Sequence, residues 1–195
     1  MTSIEVNIVK RKVIIVCSMV FIVFMLVLFI FYLIKGDNSR WQVSLGGIFL
    51  SALPLLLLYI KTNPLTIPLI IGYYVFLVSS LFLGSIKSFY NDLTWWDTIV
   101  HFYKGAYIGL IGIILYKVFI PEQYRRGISR WLLSLFVLSL AVLASVLWEV
   151  YEFVGDVFFT DTMQKGGNKD TMVDLISGLA GGLVIAIYAS IKKRI

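Results

Sequence analysis

Lys10-Arg11-Lys12, then Val13-Ile14-Ile15-Val16-Cys17-Ser18-Met19-Val20-Phe21-Ile22-Val23-Phe24-Met25-Leu26-Val27-Leu28-Phe29-Ile30-Phe31-Tyr32-Leu33-Ile34, closed by Lys35, is the stretch that decides the fold class. Its apolar run is 22 residues long and holds no charge. About 20 apolar residues in helical form span a bilayer core of roughly 30 Å. A secretory signal has a shorter apolar region and a small-residue cleavage site. The run has neither and is read as a retained first helix. Five more runs follow, at about Ser44–Ile60, Leu65–Ile86, Trp95–Phe119, Trp131–Val154 and Asp170–Ile191. In lipid every backbone group must find its partner inside the protein, and runs this long satisfy that as helices. The expectation is an all-α polytopic membrane protein of about six transmembrane helices, built as a single integral membrane domain over residues 1–195. Pro54 is expected to kink the second helix. Asn63, Pro64 and Pro68 mark the tight turn before the third.

Composition agrees. Of the 195 residues, 59% are hydrophobic and only 14% charged, against about a quarter charged in a soluble domain. Mean hydropathy is +0.91. The net charge of +6 does not signal nucleic acid, because the basic residues sort by membrane side. With the N-terminus inside, eleven Lys and Arg fall on the cytoplasmic side: Lys10, Arg11, Lys12, Lys61, Lys117, Arg125, Arg126, Arg130, Lys192, Lys193 and Arg194. Five fall outside, Lys35, Arg40, Lys87, Lys165 and Lys169, and Lys104 lies within the fourth run. This bias predicts cytoplasmic termini in a bacterial plasma membrane. Trp41, Trp95, Trp131 and Trp148 sit near expected helix ends, where interfacial tryptophan is enriched. The lone Cys17 permits neither an intrachain disulfide nor a cysteine metal site.

Acidic residues sort the other way, although topology does not require it. Only Glu5 and Glu122 fall inside. Asp37, Asp92, Asp97, Glu149, Glu152, Asp156, Asp161, Asp170 and Asp174 fall outside or at outer helix ends. Three helices carry the pattern. Asp97, His101 and Lys104 are spaced i, i+4, i+7 and share one helix face. Glu149, Glu152 and Asp156 are spaced i, i+3, i+7, and Asp170 and Asp174 are spaced i, i+4. Gly178 and Gly182 continue that last stripe and allow close helix approach. His101, Glu149 and Asp174 each lie about one turn inside the outer interface, roughly 6 Å at 1.5 Å per residue, and short connections make their helices neighbours. Taking Asp97, Glu149, Glu152 and Asp174 as ionised, Lys104 as charged and His101 as neutral, the cluster carries a formal −3. Such a site is wet, partly protonated or holds a cation.

Three functions fit. In the first, Asp97, His101, Glu149 and Asp174 bind a divalent metal. The hard oxygen donors favour Mg, Mn or Ca, and the imidazole admits Zn. Glu149 or Glu152 then serves as general base, His101 as ligand or acid and Lys104 as an anion clamp, acting on an ester or phosphoester of a membrane lipid or cell-envelope precursor. In the second, the carboxylates exchange protons or cations during transport. The near absence of ionisable residues within the first three spans counts against a through-membrane route. In the third, Lys104 and His101 pair with Glu149 and Asp174 to fix helix packing in a non-catalytic membrane partner. Polar contacts inside membranes average only about 0.6 kcal/mol, a weak reason for so many charges. No Ser–His–Asp or Cys–His nucleophile is present, so any hydrolase here relies on carboxylates. Tyr73 and Tyr74 can line the site or fill the core. Lys165-Gly166-Gly167-Asn168-Lys169 can cradle an anion or simply turn. The Arg125-Arg126 loop can touch anionic lipid. The sequence sets no oligomeric state.

At these residues the chain resembles the YjdF family of bacterial inner-membrane proteins. The pattern of that family is Asp-x-x-x-His opening one helix, Glu-x-x-Glu closing the next and Asp-x-x-x-Asp opening the last. Here these are Asp97 to His101, Glu149 to Glu152 and Asp170 to Asp174, with Phe153 where the family often has Trp. More distantly the chain is similar to VanZ-like proteins, which are associated with glycopeptide resistance. Their order is Asp-Lys-x-x-His, Glu-x-x-Gln, Asp-x-x-x-Asn. Thr98, Glu152 and Asp174 stand where those proteins have Lys, Gln and Asn, and their usual Arg before the last motif is missing. The resemblance covers about Asp92 to Ile187 and implies a shared site on the last three helices.

Overall fold

The computed structural model describes residues 3–60, 63–125, 127–158, 164 and 166–192. Lys61, Arg126, Asp161, Lys165, Lys193 and Arg194, used above to sort charge, lie outside them. The described residues are mostly helical, and six helices are long and apolar enough to cross a membrane. The chain divides into two compact units, Met1–Thr94 and Trp95–Ile195.

The first unit holds three of the spans. Helix α1 (Ser3–Lys35) begins ten residues before the apolar run, because Lys10, Arg11 and Lys12 are good helix formers that extend it past the lipid. Two of them also bind backbone. Lys10 Nζ donates to the carbonyl of Asn63 at 3.1 Å and Arg11 Nη1 to that of Leu58 at 2.9 Å, serving carbonyls near the end of the next span. Helix α2 (Asn38–Ala52) starts at Asn38, earlier than the expected Ser44. Asp37 caps it, accepting from the amide of Arg40 at 3.1 Å and pairing with its guanidinium at 2.7 Å. Arg40 also donates to the carbonyl of Ile86 and the hydroxyl of Ser88, which ties the start of α2 to the end of the third span. At Pro54 the helix tightens into 3₁₀ geometry over Leu53–Tyr59, as expected where proline removes a donor.

Helix α3 (Ile67–Leu77) starts two residues later than expected, with Pro68 in its first turn. It widens into a π-helix over Val78–Ile86, closed by a bond from the Lys87 amide to the Phe82 carbonyl five residues back, at 2.8 Å. The buried core here contains Ile14, Phe21, Met25, Ile70, Tyr74 and Leu77. The Tyr74 hydroxyl and Ser18 Oγ lie 2.6 Å apart, and Tyr73 donates to the Leu50 carbonyl at 2.8 Å. Both tyrosines are satisfied as core residues of this unit. A short helix α4 (Phe89–Asp92) follows.

The second unit is a three-helix bundle of α5 (Trp96–Phe119), α7 (Arg130–Phe158) and α8 (Asn168–Ile191), with the short α6 (Glu122–Arg125) between the first two. All three long helices pack against one another. Helices α7 and α8 extend past the expected 131–154 and 170–191, so Glu152, Asp156 and Asp170 all lie on regular helix. Small residues make the close packing. A Cβ on Gly105 would overlap the carbonyl of Gly178. One on Gly181 would overlap that of Phe102, and one on Gly178 would overlap Ser145. The helix backbones are therefore in near contact, which is how helices associate where lipid removes the hydrophobic drive. Hydroxyls are satisfied locally: Ser145 donates to Ala141, Ser177 to Val173, and Ser134 to Ala186 across the α7–α8 interface at 2.9 Å.

Candidate functional site

The start of α5, the end of α7 and the start of α8 meet at one end of this unit, so the acidic ends of three helices converge. His101 is the hub and is 2% exposed. Its Nε2 lies 3.3 Å from Asp97 Oδ1, one turn back on the same helix face. Its Nδ1 lies 3.2 Å from Lys104 Nζ, 3.5 Å from Glu149 Oε1 and 4.0 Å from Asp174 Oδ1. The Asp97 and Lys104 contacts suit one tautomer. Nε2–H donates to Asp97, and Nδ1 keeps a lone pair that accepts from the Lys104 ammonium.

Burial makes this arrangement costly. Glu149, Asp174 and Lys104 are 5%, 2% and 6% exposed. Both carboxylate oxygens of Glu149 are buried and accept no hydrogen bond from the described residues. In that tautomer the 3.5 Å separation from His101 brings an acceptor to an acceptor and leaves the carboxylate unsatisfied. Among the described residues no carboxylate lies within 4 Å of Lys104 Nζ, which sits over the Trp148 ring, 4.6 Å from its centroid. Unpaired buried charge is expensive, which makes this cluster a candidate place for a ligand that supplies the missing partner.

The donor set fits a cation. The ligand atoms of Asp97, His101 and Asp174 lie within 4.8 Å of one another, as do those of His101, Glu149 and Glu152. Two ligand atoms at right angles on a Ca-sized ion, bonded at about 2.4 Å, stand about 3.4 Å apart. The His101–Glu149 separation is close to that without any movement.

Of the residues singled out from sequence, the structure brings together Asp97, His101, Lys104, Glu149, Glu152 and Asp174. Glu152, Asp156 and Asp170 have partners of their own. Trp148 Nε1 donates to Glu152 Oε1 at 2.8 Å. Asp156 Oδ2 accepts from the amide of Gln164 at 2.7 Å. Asp170 accepts from the backbone of Gly166. The glycine turn therefore already holds an anion, a carboxylate of this chain, and Gly167 supplies the positive φ of 60° that the turn requires. Trp148 is the residue the sequence reading missed. Beside its place near the end of the fifth span, it lies under Lys104 and anchors Glu152. The available signal was its place next to Glu149 and four residues before Glu152.

An open cleft of about 720 Å³ runs beside Glu149. Its α7 wall carries Val150, Phe153 and Val157, all exposed apolar residues. Gln164, Asn168 and Thr171 supply polar groups opposite.

A family model described as "Predicted membrane protein (DUF2238)" matches residues 17–194. An uncharacterized protein of Thermotoga maritima is 34% identical over 122 residues, covering 60% of this chain and 61% of that protein. The match therefore spans somewhat less than two thirds of that relative. No solved structure matches.

Proposed function

The chain belongs to this family of predicted membrane proteins, and from that premise we propose that its second unit binds a divalent cation at the extracytoplasmic face of a bacterial plasma membrane. His101 Nδ1 and Glu149 are the ligands, with Glu152 within reach of a further coordination position, Asp174 4.0 Å from the same nitrogen and Asp97 orienting His101. The observation that carries this reading is the Glu149 carboxylate, buried with both oxygens unpartnered and 3.5 Å from an imidazole lone pair. The excess of Lys and Arg at the other helix ends supports the orientation. The motif order supports assigning the chain to the YjdF-like members of the family.

The reaction we propose is cation-assisted hydrolysis of an ester or phosphoester in the head group of a membrane lipid or envelope precursor. A bound divalent cation would supply Lewis acidity toward the oxygen under attack. This chain's own groups do the rest. Glu152, held by Trp148, is placed to take a proton, and Asp97 keeps the His101 tautomer fixed. The apolar α7 wall of the cleft suits an acyl chain while its polar side suits a head group. The test is to incubate the purified full chain with envelope lipid extract and Mn²⁺ and identify products by mass spectrometry. Head-group release that is lost with EDTA and in Glu149→Gln supports the reading. Unchanged lipid under every divalent ion refutes the hydrolase part.

A further inference from the structure

The Lys104 ammonium occupies the place from which a cation would meet His101 Nδ1. Its Nζ is 3.2 Å from that lone pair, closer than either Glu149 or Asp174. One lone pair cannot accept from an ammonium and coordinate a metal at once. We propose that Lys104 is the resident counter-cation of the site, that an incoming divalent cation displaces it from His101, and that the Trp148 ring is the seat that holds it afterwards. This rests on the cation-site reading above and adds how that site is kept stable when empty and which ions it admits.

Three observations carry it. First, Lys104 is buried and finds no carboxylate at ion-pair distance among the described residues, although Glu149 and Asp174 flank the same imidazole. Its contacts are the lone pair and the indole face. Second, that indole face is already engaged, at 4.6 Å. Leaving His101 costs Lys104 one partner and keeps the other, as cation–π contact with Trp requires only that the charge stay over the ring. Third, Trp148 is itself fixed by its Nε1 bond to Glu152 at 2.8 Å, so the seat remains when the lysine moves.

Charge then selects the ion. Exchanging the ammonium contact for a monovalent ion replaces one unit charge with another and returns nothing for the displacement. A divalent ion brings one charge more to a cluster that is formally −3. The site thus favours divalent over monovalent cations through a lysine that competes for it. Lys104 is not a ligand, and removing its charge should improve binding, the opposite of what an anion clamp or a packing residue predicts.

The experiment is a Mn²⁺ titration of the detergent-purified full chain, reading free Mn²⁺ by electron paramagnetic resonance, in wild type, Lys104→Met, Lys104→Gln, Lys104→Arg and Glu149→Gln. The expected result is affinity at least about tenfold tighter in Met and Gln, since a neighbouring like charge is removed. Arg, which keeps the charge, should bind no tighter than wild type, and Glu149→Gln should lose binding. A larger Mn²⁺-induced rise in Tm for Lys104→Met than for wild type is the matching stability readout. Wild-type binding with equal or weaker affinity in both neutral variants overturns the exchange while leaving the cation site standing. No binding in any variant overturns the cation site, and the exchange with it. Failure of both neutral variants to fold makes Lys104 a structural counter-charge and also overturns the exchange.

Discussion

Gly105→Ala puts a methyl group where the backbones of α5 and α8 touch. The added Cβ would overlap the carbonyl oxygen of Gly178 and stand 2.7 Å from its carbonyl carbon, when real Cβ atoms essentially never approach below 3.0 Å and ordinary contact starts at 3.4 Å. Both sides of the clash are helix backbone, so no side chain can step aside and the helices must part, on the order of 1 Å. Overpacking of this kind costs about 1–3 kcal/mol. Replacing Gly by Ala in a helix returns up to about 1 kcal/mol, so the variant needs a reference that shares this gain. Gly46→Ala provides it, because Gly46 lies in α2 with nothing within 4 Å of its added Cβ. The propensity gain cancels in the comparison, and Gly105→Ala should be the less stable by about 1–3 kcal/mol. The parting would also widen the 4.0 Å gap between His101 on α5 and Asp174 on α8, so divalent-ion binding should weaken in Gly105→Ala and hold in Gly46→Ala. Equilibrium unfolding in mixed micelles, followed by tryptophan fluorescence, measures the first effect and Mn²⁺ titration the second. Equal stability of the two variants would refute the near contact of α5 and α8.

Two further perturbations test other parts of the account. Glu149→Gln, measured free of divalent ions, should leave stability unchanged or raise it, because it removes a buried charge that no donor satisfies. If Glu149 and His101 instead form a structural ion pair, removing one partner should cost about 3–5 kcal/mol, and a loss of that size in thermal unfolding would refute the ligand role. Asp37 has a pKa held below its ordinary 3.8, first by the hydrogen bond from the Arg40 side chain and then by that from the Arg40 backbone. A depressed carboxylate contributes stability above its unfolded pKa and loses it as pH falls through the folded one. Asp37→Asn keeps a capping oxygen but loses the charge facing Arg40, so it should cost on the order of 0.5 kcal/mol near neutral pH, as for a partly exposed ion pair, and the deficit should shrink in unfolding curves taken below about pH 4. A deficit that is the same at pH 3 and pH 7 would sink this assignment.

The spans were legible because each is a long apolar run, and the shared faces of α5, α7 and α8 followed from spacing alone. Asp97, His101 and Lys104 at i, i+4, i+7 do share a face, and His101 does meet Glu149 and Asp174. The start of α2 was misread because Asp37 and Arg40 lie outside its apolar run, so the cap was invisible to hydropathy. The π-helix from Val78 has no composition signature, since it is set by one lengthened bond pattern. The partners of Asp156 and Asp170 depend on how the turn before α8 folds back, which spacing on either helix does not reveal. The carboxylate pairing of Lys104 that the structural reading offered is replaced by His101 and Trp148, the acceptor and ring that its flexible stem reaches.

The central claim is that His101 and Glu149, with Glu152 and Asp174 beside them, hold a divalent cation. Elemental analysis by mass spectrometry of the full chain, purified in detergent without chelator and then incubated with Mg, Mn, Ca and Zn in turn, tests it most directly. The account predicts one divalent ion per chain for at least one of the four metals, and its loss in both His101→Ala and Glu149→Gln. A wild-type protein that retains none of them, or one whose metal survives both substitutions, would contradict it.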